Sequence, residues 1–458
     1  MPRTTRAAAA ALALITTAAG LVACGDDRSG DPDTIRVWSL EDVADRVTAT
    51  RAIIADFTAA TGVNVDLVTV NEDQFPSLVA SAAAAGDLPD VIGSVSLSGV
   101  QTLAVNELLH PSANDEVVRA LGAGTFSPRA LELTSGDQGQ LAVPSDGWGQ
   151  LLVYRKDLFA EAGLPVPDSY EAIAAAAAKL HKPNLAGITA ATSPSVFTQQ
   201  TFEHLALANN CQLTDDAGQV VLDSPQCAEA FGFYNDLIKR YSVTGAQDVD
   251  TTRATYFAGR AAMLIWSPFI LDELAGLRND ARPTCPQCQA DPEFLARNSG
   301  FVTGIRGPGG SEPAQYGEIS SWTVLDGARE DPAKKFVEYF LGDGYERWFG
   351  IAPEGRVPVR RGTAEQPDRF LTAWNNAQVG VDSRKRLDDV YGGDMLATLR
   401  TSPDTFGRWG LPQGQGELVG AILGELPVPK ALGGNRDDGA AAARQAQKEV
   451  ESIKADLK

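Results

Sequence analysis

From Thr34 onward, short β-like runs alternate with stretches whose apolar residues recur at helical spacing. Thr34 to Ser39 (TIRVWS) reads as a strand, and Val43, Val47, Ala52, Ile53 and Phe57 predict a helix that Gly62 stops. Val63 to Val70 alternates as a second strand, Phe75 to Ala85 is helical, Pro89 to Ile92 is a third strand, and Val100 to Leu109 is helical again. This βαβ series predicts an α/β fold with a mostly parallel sheet. Ligands of such sheets sit beyond the carboxyl ends of the strands. Those ends carry Trp38, Ser39 and Glu41, then Asn71, Glu72 and Asp73, then Ser94 and Ser96.

The middle of the chain holds LAVPSDGWGQLLVYRKDLFAEAGLPVPD, Leu141 to Asp168. Leu151 to Tyr154 reads as a strand, Asp157 as the N-cap of the next helix, and Gly163 as its stop. Pro144 to Gly149 reads as a polar turn that crosses between two lobes and offers Asp146 and Trp148 to a ligand, or as a surface loop with one Trp. Further helices are expected over Ser169 to Leu180, Thr198 to Ala208 and about Cys227 to Tyr241, and Asp331-Pro332 opens another.

The first residues are a processing signal: Arg3 and Arg6, an apolar core from Ala7 to Leu14, then Leu21-Val22-Ala23-Cys24. The core is too short to span a bilayer. Small residues ahead of Cys24 resemble a bacterial lipoprotein signal, which implies residues 1–23 are removed, Cys24 is lipidated and 24–33 form a tether. An ordinary secretory cleavage nearby is the other reading; both export the protein. A net charge of −20 argues against nucleic acid and against a broad anionic membrane face. Four further cysteines in an exported chain suggest two disulfides, and the local pairings Cys211–Cys227 and Cys285–Cys288 are favoured. The three scattered histidines supply no zinc set, so no metal is expected.

Several stretches in shared order resemble the extracellular solute-binding proteins of carbohydrate ABC importers, the maltose-binding-like group. They are IRVWS, FTAATGVNVDL, AGDLPDVIGSVSLSG, AVPSDGWGQLLVYRKDLFAEAGLPVPDSYEAI, FAGRAAMLIWSPF and DPAKKFVEYFLGDGYERWF followed by GRVPVRR. The resemblance covers about residues 34–360. It implies a two-lobed periplasmic-binding-protein-like (type II) fold with a hinge between the lobes. Lobe 1 would hold 34–143 and 305–362, lobe 2 would hold 144–304 and 363–458. It also implies a monomeric, lipid-anchored receptor on the outer face of the cell membrane. Such a receptor captures a small saccharide between the lobes and delivers it to membrane permease subunits, without cofactor or covalent chemistry.

Sugars present apolar C–H faces and rings of hydroxyls, so a site for them needs aromatic platforms and fixed donors and acceptors. Candidate platforms are Trp38, Trp148, Trp266, Phe269 and Trp322; Phe269 falls where WSPF resembles the family's stacking Gly-Pro-Trp. Candidate hydroxyl partners are Glu41, Asp42, Asp73, Ser94, Ser96, Asp146, Glu318 and Arg356. Each has a plainer reading: a Trp packs in the core, an acid at a strand end caps the next helix, and Arg356 pairs with a structural carboxylate. Maltose-type binders have an aromatic after the third strand, whereas this chain has Gly93-Ser94, which favours a mono- or disaccharide or another polar ligand. Competing readings are the same fold binding a glycerophosphodiester, polyamine or chelate, and a secreted glycoside hydrolase, which needs a carboxylate pair that no motif marks.

Overall fold

The computed structural model of the chain describes residues 33–71, 74–411 and 414–457. The leader 1–23, Cys24 and Asp73 lie outside the described residues, as does the tether up to Asp33. Among the described residues ten strands carry the two main sheets, the first nine being β1 (Thr34–Ser39), β2 (Asn64–Thr69), β3 (Val91–Val95), β4 (Val143–Gly149), β5 (Leu151–Arg155), β6 (Met263–Trp266), β7 (Ser299–Val302), β8 (Gln315–Val324) and β9 (Val357–Pro358).

The larger sheet runs β9-β4-β8-β3-β1-β2, with a short strand, β10 (Phe406–Gly407), beside the start of β8. Its β2-β1-β3 part is parallel, as the alternation of elements predicts. The β3-β8-β4-β9 part is antiparallel, because β8 and β9 return from far along the chain. The smaller sheet is β6-β5-β7, antiparallel throughout. The chain leaves one sheet for the other at Gln150, so the expected boundary at 143/144 falls at the start of β4, a strand of the larger sheet.

Pro144 to Gly149, expected as a turn, is therefore most of a strand. The register of β4 against β8 shifts at Ser145, between Pro144 and Asp146. Such a bulge accommodates a proline and re-aims the following side chain. The polar residues of β4 tolerate burial because tertiary partners satisfy them: Tyr345 Oη donates to the Ser145 carbonyl, and Trp348 Nε1 donates to Ser145 Oγ at 3.0 Å. Asp157 is likewise not an N-cap. It sits in the first turn of the helix Lys156–Ala162, where Arg155 holds both its oxygens at 2.8 and 2.6 Å.

Helices α1 (Ala44–Thr61), α2 (Phe75–Ala85) and α3 (Leu97–Val105) follow β1, β2 and β3 in turn. Gly62 and Gly86 end α1 and α2 in the left-handed conformation that a residue with a Cβ resists. Farther on come α4 (Val196–Ala208), α5 (Pro225–Tyr241), α6 (Ile270–Leu274), α7 (Glu330–Leu341), α8 (Gly416–Glu425) and α9 (Gly439–Asp456). Helix α9 packs along α5, whereas α8 reaches from α9 to α3 beside the larger sheet. Cys211–Cys227 and Cys285–Cys288 form the two expected disulfides. Among the described residues no helix is long and apolar enough to cross a membrane.

Helix α6 buries two adjacent acids, Asp272 and Glu273. Glu273 accepts a bond from Arg253 at 2.8 Å, while Asp272 Oδ1 meets no donor among the described residues. Burial pushes Asp272 up to about 8, with Glu354 adding to the rise. Burial also pushes Glu273 up to about 7, against the pull of Arg253. The folded chain then holds protons that the unfolded chain has released, so stability declines as pH rises through the folded values. His204, held by desolvation down to about 3, acts in the opposite sense only below its ordinary 6.5. Between pH 6.5 and 8 the unfolding free energy in urea should therefore fall by about 2 kcal/mol. Asp272→Asn should remove about two thirds of that fall; an unchanged slope in the variant would assign it to other groups.

Candidate functional site

A cavity of about 710 Å³ opens between the larger sheet, α4, Phe269 and α8. Its size is that of a pocket for a small organic ligand. Of the expected site residues, the structure brings Glu41, Ser94, Ser96, Asp146, Trp148, Phe269, Glu318 and Arg356 to its walls, together with Asp42.

Arg356 is the cavity's central cation. It follows the turn Pro353–Gly355 and leads into β9, which places its guanidinium between β1 and β4. One Nη donates to Glu41, and the other reaches Asp146 Oδ1 at 3.4 Å. The guanidinium carbon lies 4.4 Å from the Trp348 ring centroid, within cation–π range. Asp146 Oδ2 accepts from Ser145 Oγ at 2.7 Å and from Trp348 Nε1 at 2.9 Å. Glu41 also faces Arg46 at 3.5 Å. Each buried carboxylate thus faces a cation, as burial of charge requires.

Glu318 closes a second network. Its Oε1 accepts the Leu97 backbone N–H at 2.8 Å, at the start of α3, and its Oε2 pairs with Arg408. Arg408 is itself buried beside Glu203 of α4, at 3.6 Å, and over the Tyr316 ring. Ser96 caps α3 by accepting the Gly99 N–H at 3.2 Å.

Around these charges the cavity lining combines hydroxyls with apolar groups. Ser94, Ser96, Ser98, Thr102 and Ser320 come from β3, α3 and β8. Ser94 has φ 56°, a left-handed backbone that is strained for serine, and its buried Oγ meets no partner among the described residues. The apolar lining includes Trp148, Phe269, Val196 and Leu423. Phe269 packs edge-on to Trp148, with ring centroids 6.4 Å apart. The same ring presses on Gly355, where a Cβ would come within 2.0 Å of it, so glycine is required there.

Three expected platforms are elsewhere. Trp38 is in the core with Val70, Phe75 and Ile92. Trp266, on β6, packs against Phe197 and donates from Nε1 to the Val249 carbonyl at 3.3 Å. Trp322 is fully buried, and its ring lies where a side chain at Gly93 would be, 2.2 Å from an ideal Cβ. Trp322 therefore backs the wall from behind, which explains the Gly93-Ser94 pair in front of it. Sequence reasoning missed Arg46, Ser98, Thr102, Gln200 and the α8 residues Gly420, Leu423 and Gly424. Ser98 and Thr102, a helical turn apart near the Ser96 cap, carried a usable signal; α8 carried only helical character.

Comparison with known proteins fits this geometry. The family model described as bacterial extracellular solute-binding protein matches residues 42–347. YcjN of Escherichia coli (strain K12), whose name assigns it to the periplasmic-binding proteins of ABC transporters, is 27% identical over 365 residues, 74% of this chain and 80% of its own. The sugar-binding protein MalE of Xanthomonas citri superposes with TM-score 0.70 at 19% identity, over 93% of this chain and 98% of that one. The GacH receptor of Streptomyces glaucescens, solved unliganded and with acarbose, gives 0.65 at 17% identity, over 93% and 99%. Maltose-bound MalE3 of T. maritima gives 0.65 at 16% identity, over 92% and 99%. With their two-lobed α/β fold and a family match over most of its length, the chain belongs to the bacterial extracellular solute-binding proteins.

Proposed function

We propose that this protein is the extracytoplasmic receptor of an ABC importer, and that it captures a small neutral saccharide in the cavity around Arg356. The observation that carries the reading is the composition of the walls: several hydroxyls, the Trp148–Phe269 pair, and Glu41, Asp146 and Glu318 already matched by Arg356, Arg46 and Arg408. Such a cavity suits a ligand with an apolar ring face and a hydroxylated edge. It does not call for a charged ligand. The maltose bound to MalE3 and the sugar-binding description of the X. citri protein support the same class.

Ligand contacts from both lobes favour the closed arrangement, and closure is the shape that permease subunits read. On this reading the lobes take 34–143 with 305–362 and 144–304 with 363–458, and the change of sheet at Gln150 supports a first crossing a few residues beyond that boundary. Cys24 supplies a lipid anchor, and the chain acts as a monomer. The pairing of Asp146, Glu41 and Glu318 with arginines supports binding rather than hydrolysis.

A thermal-shift panel on the mature protein should give a selective rise in Tm with a mono- or disaccharide. A rise confined to glycerophosphodiesters, polyamines or chelates would keep the fold and sink the saccharide reading. With the binding sugar in hand, Phe269→Ala should weaken Kd by about tenfold or more, through lost ring stacking. Arg356→Met should lower stability by about 3 kcal/mol, because Asp146 would then be buried without a cation and Glu41 would keep only Arg46. A fully stable Arg356→Met protein, measured by urea unfolding, would contradict the burial argument.

A further inference from the structure

Two of the cavity's wall residues are tied to a pair of buried acids that line no part of it. Phe269 immediately precedes α6, which carries Asp272, and Glu354 stands directly before Gly355 and Arg356. Helix α6 packs on the turn Pro353–Gly355, and the Phe269 ring presses on Gly355. On the proposed division of the chain, α6 belongs to one lobe and the turn to the other. Asp272 is 1% exposed and Glu354 7%. Among the described residues Asp272 Oδ1 meets no donor and Glu354 forms no ion pair.

The charges around them are engaged elsewhere. Glu273, beside Asp272, is held by Arg253 of the helix Val249–Phe257, and Arg253 also bonds Asp250. Arg278, just past α6, spends two bonds on exposed Asp280, at 3.1 and 2.9 Å, and reaches Asp272, Glu273 and Glu354 only through space. Arg46 and Arg356 draw on Glu354 from the cavity, but both pair with Glu41. Tyr391, whose Oη donates to the Leu271 carbonyl, stays protonated because it is buried. Two buried acids in one contact cannot both ionise without a large desolvation and repulsion cost.

We infer that Asp272 and Glu354 form a proton-dependent clasp between α6 and the Pro353–Gly355 turn, one that holds Phe269 and Arg356 in place for solute capture. The inference rests on the cavity being the capture site, and it holds whether or not the solute is a sugar. When the clasp is closed, burial pushes Asp272 up to about 8 and raises Glu354 as well. When the segments part, water solvates both carboxylates and returns them to about 4. The closed clasp therefore keeps a proton that the parted one has released. Its advantage falls as pH rises toward 8 and is level above that, by at most about tenfold per pH unit for one proton.

The test is calorimetric titration of the full mature chain from pH 6 to 9.5, in buffers of different ionisation enthalpy, with whichever solute raises the parent's Tm. The parent's Kd should weaken by about tenfold between pH 6.5 and 8.5 and then level. Binding should take up close to one proton near pH 7 and none at pH 9.5. Asp272→Asn, neutral and of the same shape, should flatten most of the profile and take up little proton. Glu354→Gln leaves Asp272 in place but removes the repulsion, so it should move the levelling to lower pH. A parent whose Kd is level throughout, with no proton uptake, would overturn the clasp while leaving the receptor function in place. A profile unchanged in both variants would overturn it too, by assigning the proton to other groups. A parent that binds no solute of the panel would remove the capture reading beneath it, and the clasp would fall with it.

Discussion

The guanidinium of Arg356 is the constraint around which the cavity is built. It joins the end of β1, through Glu41, to the bulged strand β4, through Asp146, and it stacks on Trp348 from the segment after α7. Three distant stretches of sequence thus meet at one buried cation. Such a pair adds little net stability, because desolvating the charges offsets their attraction. What it supplies is position: with its partners fixed, the guanidinium cannot turn. The Glu318–Arg408–Glu203 network does the same at the other side, tying β8 and the start of α3 to α4.

That division between position and stability explains what was legible in the sequence. The strand–helix alternation from Thr34 to Leu109 gave the parallel β2-β1-β3 unit because period-2 and period-3.6 patterns act locally. The antiparallel strands β8 and β9 return over more than two hundred residues, and no local pattern announces their place. Pro144 to Gly149 reads as a turn for the same reason. Its Pro, Ser, Asp and Gly carry turn propensity, and only the tertiary donors Tyr345, Trp348 and Arg356 make it affordable as a buried strand.

Site residues divide along a similar line. Asp146, Glu41, Glu318 and Arg356 stand out in sequence because a charge near a strand end or turn has few places to go. The tryptophans do not. Trp38, Trp266 and Trp322 are as apolar as a stacking platform, and which face of the sheet each occupies depends on register, which composition does not show. Trp322 is instructive: it was expected in the cavity and instead sits behind Gly93, so its bulk shapes the wall without touching what lies in front.

Glycine carries information in this chain that runs opposite to the usual reading. Gly93 and Gly355 are bare because an aromatic ring of the protein fills the space their side chains would take. Helix α8 bridges from α9 to α3 while lining the cavity. On the proposed reading, contact of a solute with α8, β3 and the Phe269 loop together is how occupancy becomes closure.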